Sequence, residues 1–206
     1  MKLYNSNYSP QAKRLRVLAN ELNLKLDVQE LDFMKGDNKK PEYLAKNPMG
    51  KIPTLEDDGY VIWESPAAMI YMASKANSPL LPKGAKEHAE LFKWMFWNAS
   101  HFENAAFVLV GEKVVKPMMM GQQPDVARVT LAMKDWERFV PIFNGHLEGK
   151  QWVLGNDFSI ADIAIGTTVE STTMPQVGCT YDRYTHIKAW LGRVTSRDSW
   201  KKATPG

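Results

Sequence analysis

The stretch Ile52-Pro53-Thr54-Leu55-Glu56, then Asp57-Asp58-Gly59, then Tyr60-Val61-Ile62-Trp63 constrains this chain more than any other segment. Two extended runs around an Asp-Gly turn signal a β-hairpin. The neighbouring segments say what the hairpin joins. Lys2 to Asn5 is a short strand candidate, halted at the polar cluster Asn5-Ser6-Asn7. Ser9-Pro10 then opens a helix: serine is a favoured N-cap, and proline suits the first helical position because its missing N–H would have no partner there. Leu15, Leu18 and Leu22 give that helix one apolar face. Leu26, Val28 and Leu31 suggest a second strand, followed by the polar loop DFMKGDNKKP, and Pro41 opens a short helix through Lys46. A second Ser-Pro pair, Ser65-Pro66, starts a helix carrying Ala68, Met69 and Met72.

The order is therefore βαβαββα. A strand–helix–strand start implies a parallel pair and the hairpin adds antiparallel strands, so the sheet lies under helices in the thioredoxin-like pattern. This α/β domain spans residues 1–77. Residues 78–87 form the linker, because Asn77-Ser78-Pro79-Leu80-Leu81-Pro82-Lys83-Gly84 is rich in helix and strand breakers. Residues 88–206 are expected to be an all-α domain. Leu91, Trp94, Met95, Phe102 and Ala105 recur at helical spacing, as do Val126, Val129, Met133, Trp136, Val140 and Phe143. Pro141 falls inside the second pattern and is expected to kink that helix. Ser159-Ile160-Ala161-Asp162 has the form of a capping box, with Phe158 and Ile163 placed as its hydrophobic staple. The last predicted helix covers Tyr184 to Thr195.

Composition removes several function classes. A net charge of +3 with scattered Lys and Arg does not argue for nucleic acid. The run Lys13/Arg14/Arg16 reads as a solvated helix face, whereas Lys35/Lys39/Lys40 suits a small anionic ligand. No apolar run approaches the ~20 residues of a membrane span, and the N-terminus lacks the features of a secretory signal. The single cysteine, Cys179, fits a reducing cytoplasm and reads as a packed residue. His88, His101, His146 and His186 show no metal-ligand spacing, so no metal is expected.

The segments SPQAKRLRVLANELNL, NPMGKIPTLEDDGYVIWES and GNDFSIADI together resemble the cytosolic glutathione S-transferase superfamily, over essentially the whole chain. The opening MKLYNSNYSP and the loop GDNKKPEYLAKNP are most similar to the serine-type members, phi-like or theta-like bacterial forms. The resemblance implies an enzyme that activates the glutathione thiolate for attack on a small hydrophobic electrophile. Other glutathione-dependent chemistry (a peroxidase or a dehalogenase) and a non-catalytic binding or regulatory role are the alternatives.

It also implies roles for individual residues. Ser9, which taken alone is simply a helix cap, becomes the catalytic hydrogen-bond donor to the glutathione sulfur; Tyr4, near the end of the first strand, is the rival donor, and Tyr8 a weaker one. Glu64 and Ser65 hold the γ-glutamyl end, Glu64 facing the ammonium and Ser65 the carboxylate. Pro53 matches a cis-proline that turns the Ile52 backbone toward the cysteinyl amide. Lys39 and Lys51 lie toward the glycine carboxylate, with Asn38 standing where plant phi-like forms carry His and Lys51 where they carry Gln. The electrophile is expected in a mostly apolar pocket between the domains, with Trp97, His101, Phe102, Phe107, Val108 and Met118 to Met120 as candidates. A two-fold homodimer is implied, Met49 matching the position of an aromatic residue that inserts into the partner subunit in some classes.

Overall fold

The computed structural model describes residues 1–204 and divides into two compact units, one formed by Met1–Leu81 with the segment beginning at Arg197, the other by Pro82–Ser196.

In the first unit the elements run β1 (Lys2–Asn5), α1 (Pro10–Glu21), β2 (Asp27–Glu30), α2 (Pro41–Leu44), β3 (Thr54–Asp57), β4 (Tyr60–Trp63) and α3 (Ser65–Lys75). The sheet order is β2-β1-β3-β4, with β1/β2 parallel and the other two pairings antiparallel. At the hairpin Asp58 has φ 49° and Gly59 φ 82°, the two positive values that a two-residue turn matched to strand twist requires. Register puts Leu3 opposite Leu55 and Leu55 opposite Ile62, so these three share one face. Leu3 and Leu55 are fully buried, as are Leu15 and Leu18 of α1 and Met69 and Met72 of α3. The opposite face carries Tyr4, whose ring meets Tyr43 of α2 edge-on at 5.6 Å.

The first unit closes with a helix that sequence patterning does not reveal. After α9 (Thr185–Ser196) comes α10 (Asp198–Ala203), packed on α1. Arg197 grips Glu21 through two bonds of 2.7 and 2.8 Å, Asn20 Nδ2 donates to the Ser199 carbonyl at 2.9 Å, and Ser199 Oγ also bonds Glu21. The Lys13 ammonium lies 4.8 Å from the centre of the Trp200 ring, which is buried. The expectation that the helical domain runs from residue 88 to the end is therefore corrected: from Arg197 the chain belongs to the first unit. The solvated-face reading of Lys13/Arg14/Arg16 is corrected too, since Lys13 and Arg14 are buried; α1 is covered on more than one side, so its charges lie between packed elements.

The second unit is all-helical among the described residues. Ala85 to Met120 is one helical run in which α4 (Ala85–Trp97), α5 (Glu103–Val110) and α6 (Lys116–Met120) are joined by π-helical turns at Asn98–Phe102 and Gly111–Val115. Then follow α7 (Val126–His146), which passes through Pro141 without a break, and α8 (Ile160–Thr172). Helix α8 is buried nearly all round, as befits a central core helix. Its capping box is complete: Asp162 accepts from Ser159 N and Oγ at 2.9 and 3.0 Å, and also from Val153 N and Trp190 Nε1, both at 2.8 Å.

Candidate active site

Ser9 is delivered by a short pinned loop. Its N–H donates to the Ser6 carbonyl at 3.0 Å, and Arg16 bonds both the Asn5 side chain and, at 3.4 Å, the Ser6 carbonyl. Ser9 has extended geometry (φ −88°, ψ 115°) and its Oγ accepts from Ala12 N at 3.1 Å, so it is the N-cap of α1. In that role the hydroxyl is an acceptor, which leaves its proton to give. It is given to Gln11 Oε1 at a long 3.4 Å, a weak bond from which the proton can be redirected to a ligand. The side chain is half-buried, next to the positive end of the helix dipole. Tyr4 has no such freedom: its hydroxyl donates to Glu56 Oε2 at 3.0 Å and the residue is buried. Tyr8 is 90% exposed.

The loop before β3 is held from the α2 side. The Ile52–Pro53 peptide is cis and both residues are buried. Asn47 Nδ2 donates to the Lys51 carbonyl (2.9 Å) and to Thr54 Oγ1 (3.0 Å), and its Oδ1 accepts from Met49 N (3.1 Å). Tyr43 completes this brace by donating to the Lys51 carbonyl at 2.5 Å, with Thr54 Oγ1 2.8 Å from its oxygen. Burial holds the Tyr43 phenol above its ordinary range, so it stays a donor. Asn38 Nδ2 donates to the Gly50 carbonyl at 2.7 Å, tying the turn Asp37–Lys39 to the segment before Lys51. Lys39 and Lys51, each next in sequence to a partner in that bond, are both exposed. Gly50 is required here: its φ is +59°, and a Cβ would meet the Asn38 carbonyl at 3.0 Å.

Glu64 and Ser65 sit where β4 turns into α3. Glu64 is exposed, with φ 72° and ψ 107°, a region that side-chain-bearing residues avoid and that clusters at ligand clamps. Ser65 is buried and no side chain caps α3. Its Oγ accepts from Arg14 Nη1 of α1 at 3.1 Å, so one residue of the helix capped by Ser9 reaches the mouth of the other Ser-Pro helix. Sequence reasoning missed Arg14, Tyr43 and Asn47. Helical spacing offered one signal, because Arg14 is four residues from Pro10 and from Leu18 and so shares their face.

In the second unit the candidates separate. Phe102 is fully buried and stacks on Trp97 at 5.3 Å; Trp97 also stacks on Phe143 at 5.9 Å. The expectation that Phe102 lines a pocket is corrected, since it is core: periodicity that marks a buried face is the same for a core ring and a pocket ring. Phe107, Met118 and Met120 are exposed. His101 and Val108 line a cavity of about 410 Å³, with Arg128, Asp135, Arg138 and Phe139 on its far side. Cys179 is buried, and burial pushes its thiol up to about 12, which makes it a poor nucleophile. Among the described residues no group of three or more His, Cys, Asp and Glu side chains could hold a metal ion, and no helix is long and apolar enough to cross a membrane.

Known proteins supply the context for this geometry. Residues 1–74 match the family "Glutathione S-transferase, N-terminal domain" and residues 108–198 match "Glutathione S-transferase, C-terminal domain". Glutathione S-transferase 3 of Zea mays is 33% identical over 98% of this chain and 92% of its own length. A probable glutathione S-transferase of Oryza sativa is 30% identical over 98% and 94%. Among solved structures, glutathione transferase F7 of Populus trichocarpa superposes with a TM-score of 0.90 at 27% identity, covering 98% of this chain and 96% of that one. The theta-class enzyme of Xanthomonas axonopodis pv. citri, solved with glutathione bound, gives 0.89 at 25% identity, covering 100% and 97%. With both family domains matched in order and relatives aligned end to end, this chain belongs to the glutathione S-transferase family.

Proposed function

We propose that this protein is a serine-type glutathione S-transferase in which the Ser9 hydroxyl donates a hydrogen bond to the glutathione sulfur and so stabilises the thiolate. A free thiol has a pKa near 8.5, so only a few per cent is ionised at neutral pH. Lowering it by two units takes about 2.7 kcal/mol of preference for the anion. One hydrogen bond to a charged acceptor, with the positive end of α1 beside it, is of that size. The observation that carries the reading is the cap geometry of Ser9: an oxygen already accepting from Ala12 N has a proton to give, whereas the Tyr4 hydroxyl is committed to Glu56.

Around that sulfur the same reading assigns the rest of the tripeptide. The Ile52 backbone pairs with the cysteinyl amide, Glu64 takes the γ-glutamyl ammonium, Ser65 its carboxylate, and Lys39 and Lys51 the glycine carboxylate. The theta-class structure, by its title, binds glutathione, which supports carrying the ligand over. The second substrate is a small hydrophobic electrophile taken by the helical unit, with His101 and Met118 as its candidate contacts. The protein works in the cytoplasm as an isologous homodimer, Met49, Phe96 and Leu131 being exposed apolar side chains that a second copy would cover.

The test combines retention on immobilised glutathione with turnover of a chloronitroaromatic, for wild type and Ser9→Ala. Binding and turnover by wild type, with turnover falling at least tenfold and the thiol pKa of the bound complex rising in the variant, support the reading. No binding and no turnover by wild type overturn it. Unchanged turnover in Ser9→Ala removes Ser9 from the sulfur and leaves the family assignment standing.

A further inference from the structure

We infer that Arg14 is a positioning residue for the γ-glutamyl carboxylate, acting through Ser65; the inference rests on the glutathione reading above and adds a residue to it. Arg14 is 1% exposed on α1, and its Nη1 lies 3.1 Å from Ser65 Oγ. A guanidinium is always protonated and has only donors, so the direction of this bond is fixed: Ser65 Oγ accepts. The hydroxyl proton of Ser65 must then be given elsewhere. Ser65 is the first residue of α3, whose N-terminus has no side-chain cap, so hydroxyl, backbone N–H and helix dipole are available together to an anion at that point.

Charge and burial reinforce the direction. Placing a guanidinium inside a protein is costly unless its field and its donors are used. The Arg14 guanidinium lies 3.1 Å from the hydroxyl oxygen at a buried position, where solvent screens it little, and polarises the O–H toward whatever accepts from it. A carboxylate bound at Ser65 therefore meets a hydroxyl that is oriented in advance. A neutral amide in the same place gains far less. Arg14 need not touch the ligand: it sets which way Ser65 points and how strongly it donates.

The experiment measures the affinity of S-methylglutathione, and of its analogue with the γ-glutamyl α-carboxylate converted to the amide, by calorimetry. Wild type, Arg14→Lys, Arg14→Met, Ser65→Ala and the double variant Arg14→Met/Ser65→Ala are compared. Wild type is expected to prefer the carboxylate at least tenfold. Arg14→Met and Ser65→Ala are each expected to cut that preference severalfold, and the double variant to be no worse than the poorer single one. Arg14→Lys keeps charge without the fixed fork and is expected to recover part of the preference. In turnover the effect is expected in KM for glutathione, with kcat moving by less. If Arg14→Met does not fold, the carboxylate preference of Arg14→Lys against wild type decides. Undiminished preference in Arg14→Lys and Arg14→Met, or effects that simply multiply with Ser65→Ala, overturn the inference alone. Failure of wild type to bind S-methylglutathione overturns the parent reading and the inference with it.

Discussion

Glu64 offers a perturbation in which stability and binding are expected to move in opposite directions. At φ 72° and ψ 107° it occupies backbone space that a Cβ penalises, at a cost of about 1–3 kcal/mol. Glu64→Gly removes the Cβ and the penalty, while glycine's greater freedom in the unfolded chain takes back about 0.4–1 kcal/mol. The net gain is about 1 kcal/mol, equivalent to roughly 2–4 °C in Tm for a chain of this size. Glu64→Ala keeps the Cβ and so the strain, yet loses the same carboxylate. Differential scanning calorimetry should therefore rank glycine above alanine by a few degrees. Binding of S-methylglutathione should weaken about five- to tenfold in both variants, as expected for losing one charged partner of the ligand ammonium. Equal Tm values for the two would refute the strain argument; undiminished binding by Glu64→Ala would refute the ammonium contact.

Three further predictions concern the support of the site and of the helical unit. Asn47→Ala leaves the Lys51 carbonyl with one donor fewer and Met49 N without its acceptor, so a loss of about 1–3 kcal/mol and a higher KM for glutathione are expected; urea unfolding and steady-state kinetics check both. Trp200→Ala empties a buried ring site against α1, at a cost of about 3–5 kcal/mol, and should lower the unfolding midpoint by roughly 6–20 °C at this chain length. His146 is half-shielded, and its pKa lies below the ordinary value, chiefly through burial with Lys150 adding to it. Its Nδ1 faces the Lys150 ammonium at 3.0 Å and its Nε2 the Val153 carbonyl at 2.7 Å, a pairing that suits the neutral ring. The unfolded state therefore takes up a proton first as pH falls through about 6.5, and stability should drop between pH 7.5 and 5.5. In His146→Phe that part of the slope should vanish when Tm is followed against pH.

What could be read in advance was local. The caps at Ser9 and Ser159, the Asp58-Gly59 turn and the order of elements in the first unit each depend on neighbours within a few residues, and each is visible in the chain. The parts that escaped depend on distant partners. Arg14 is ordinary in its own helix and acquires meaning only opposite Ser65, 51 positions later. Asp198–Ala203 is short and largely polar, and it forms a helix against α1 because Trp200 is buried there. Phe102 shows the same limit from the other side: helical spacing marks it as inward-facing, and only packing tells a core ring from a ligand wall. Asn38, one of the polar residues of the loop before α2, is engaged with the Gly50 carbonyl and braces that loop against the segment before Lys51.

The docking of α10 on α1 has a consequence for how this chain can be cut and recombined. The first unit is discontinuous: its opening 81 residues and the segment beginning at Arg197 are separated by the whole helical unit. During synthesis the sheet and α3 leave the ribosome early, but Glu21, Asn20 and Lys13 wait for partners that are made only after the whole helical unit. A chimera joined to a relative at residue 82 would inherit one parent's α1 and the other's tail, and would mismatch Trp200 and Arg197 even if both halves folded. A compatible exchange needs two crossovers, one at residue 82 and one at residue 197, so that the head travels with its own tail.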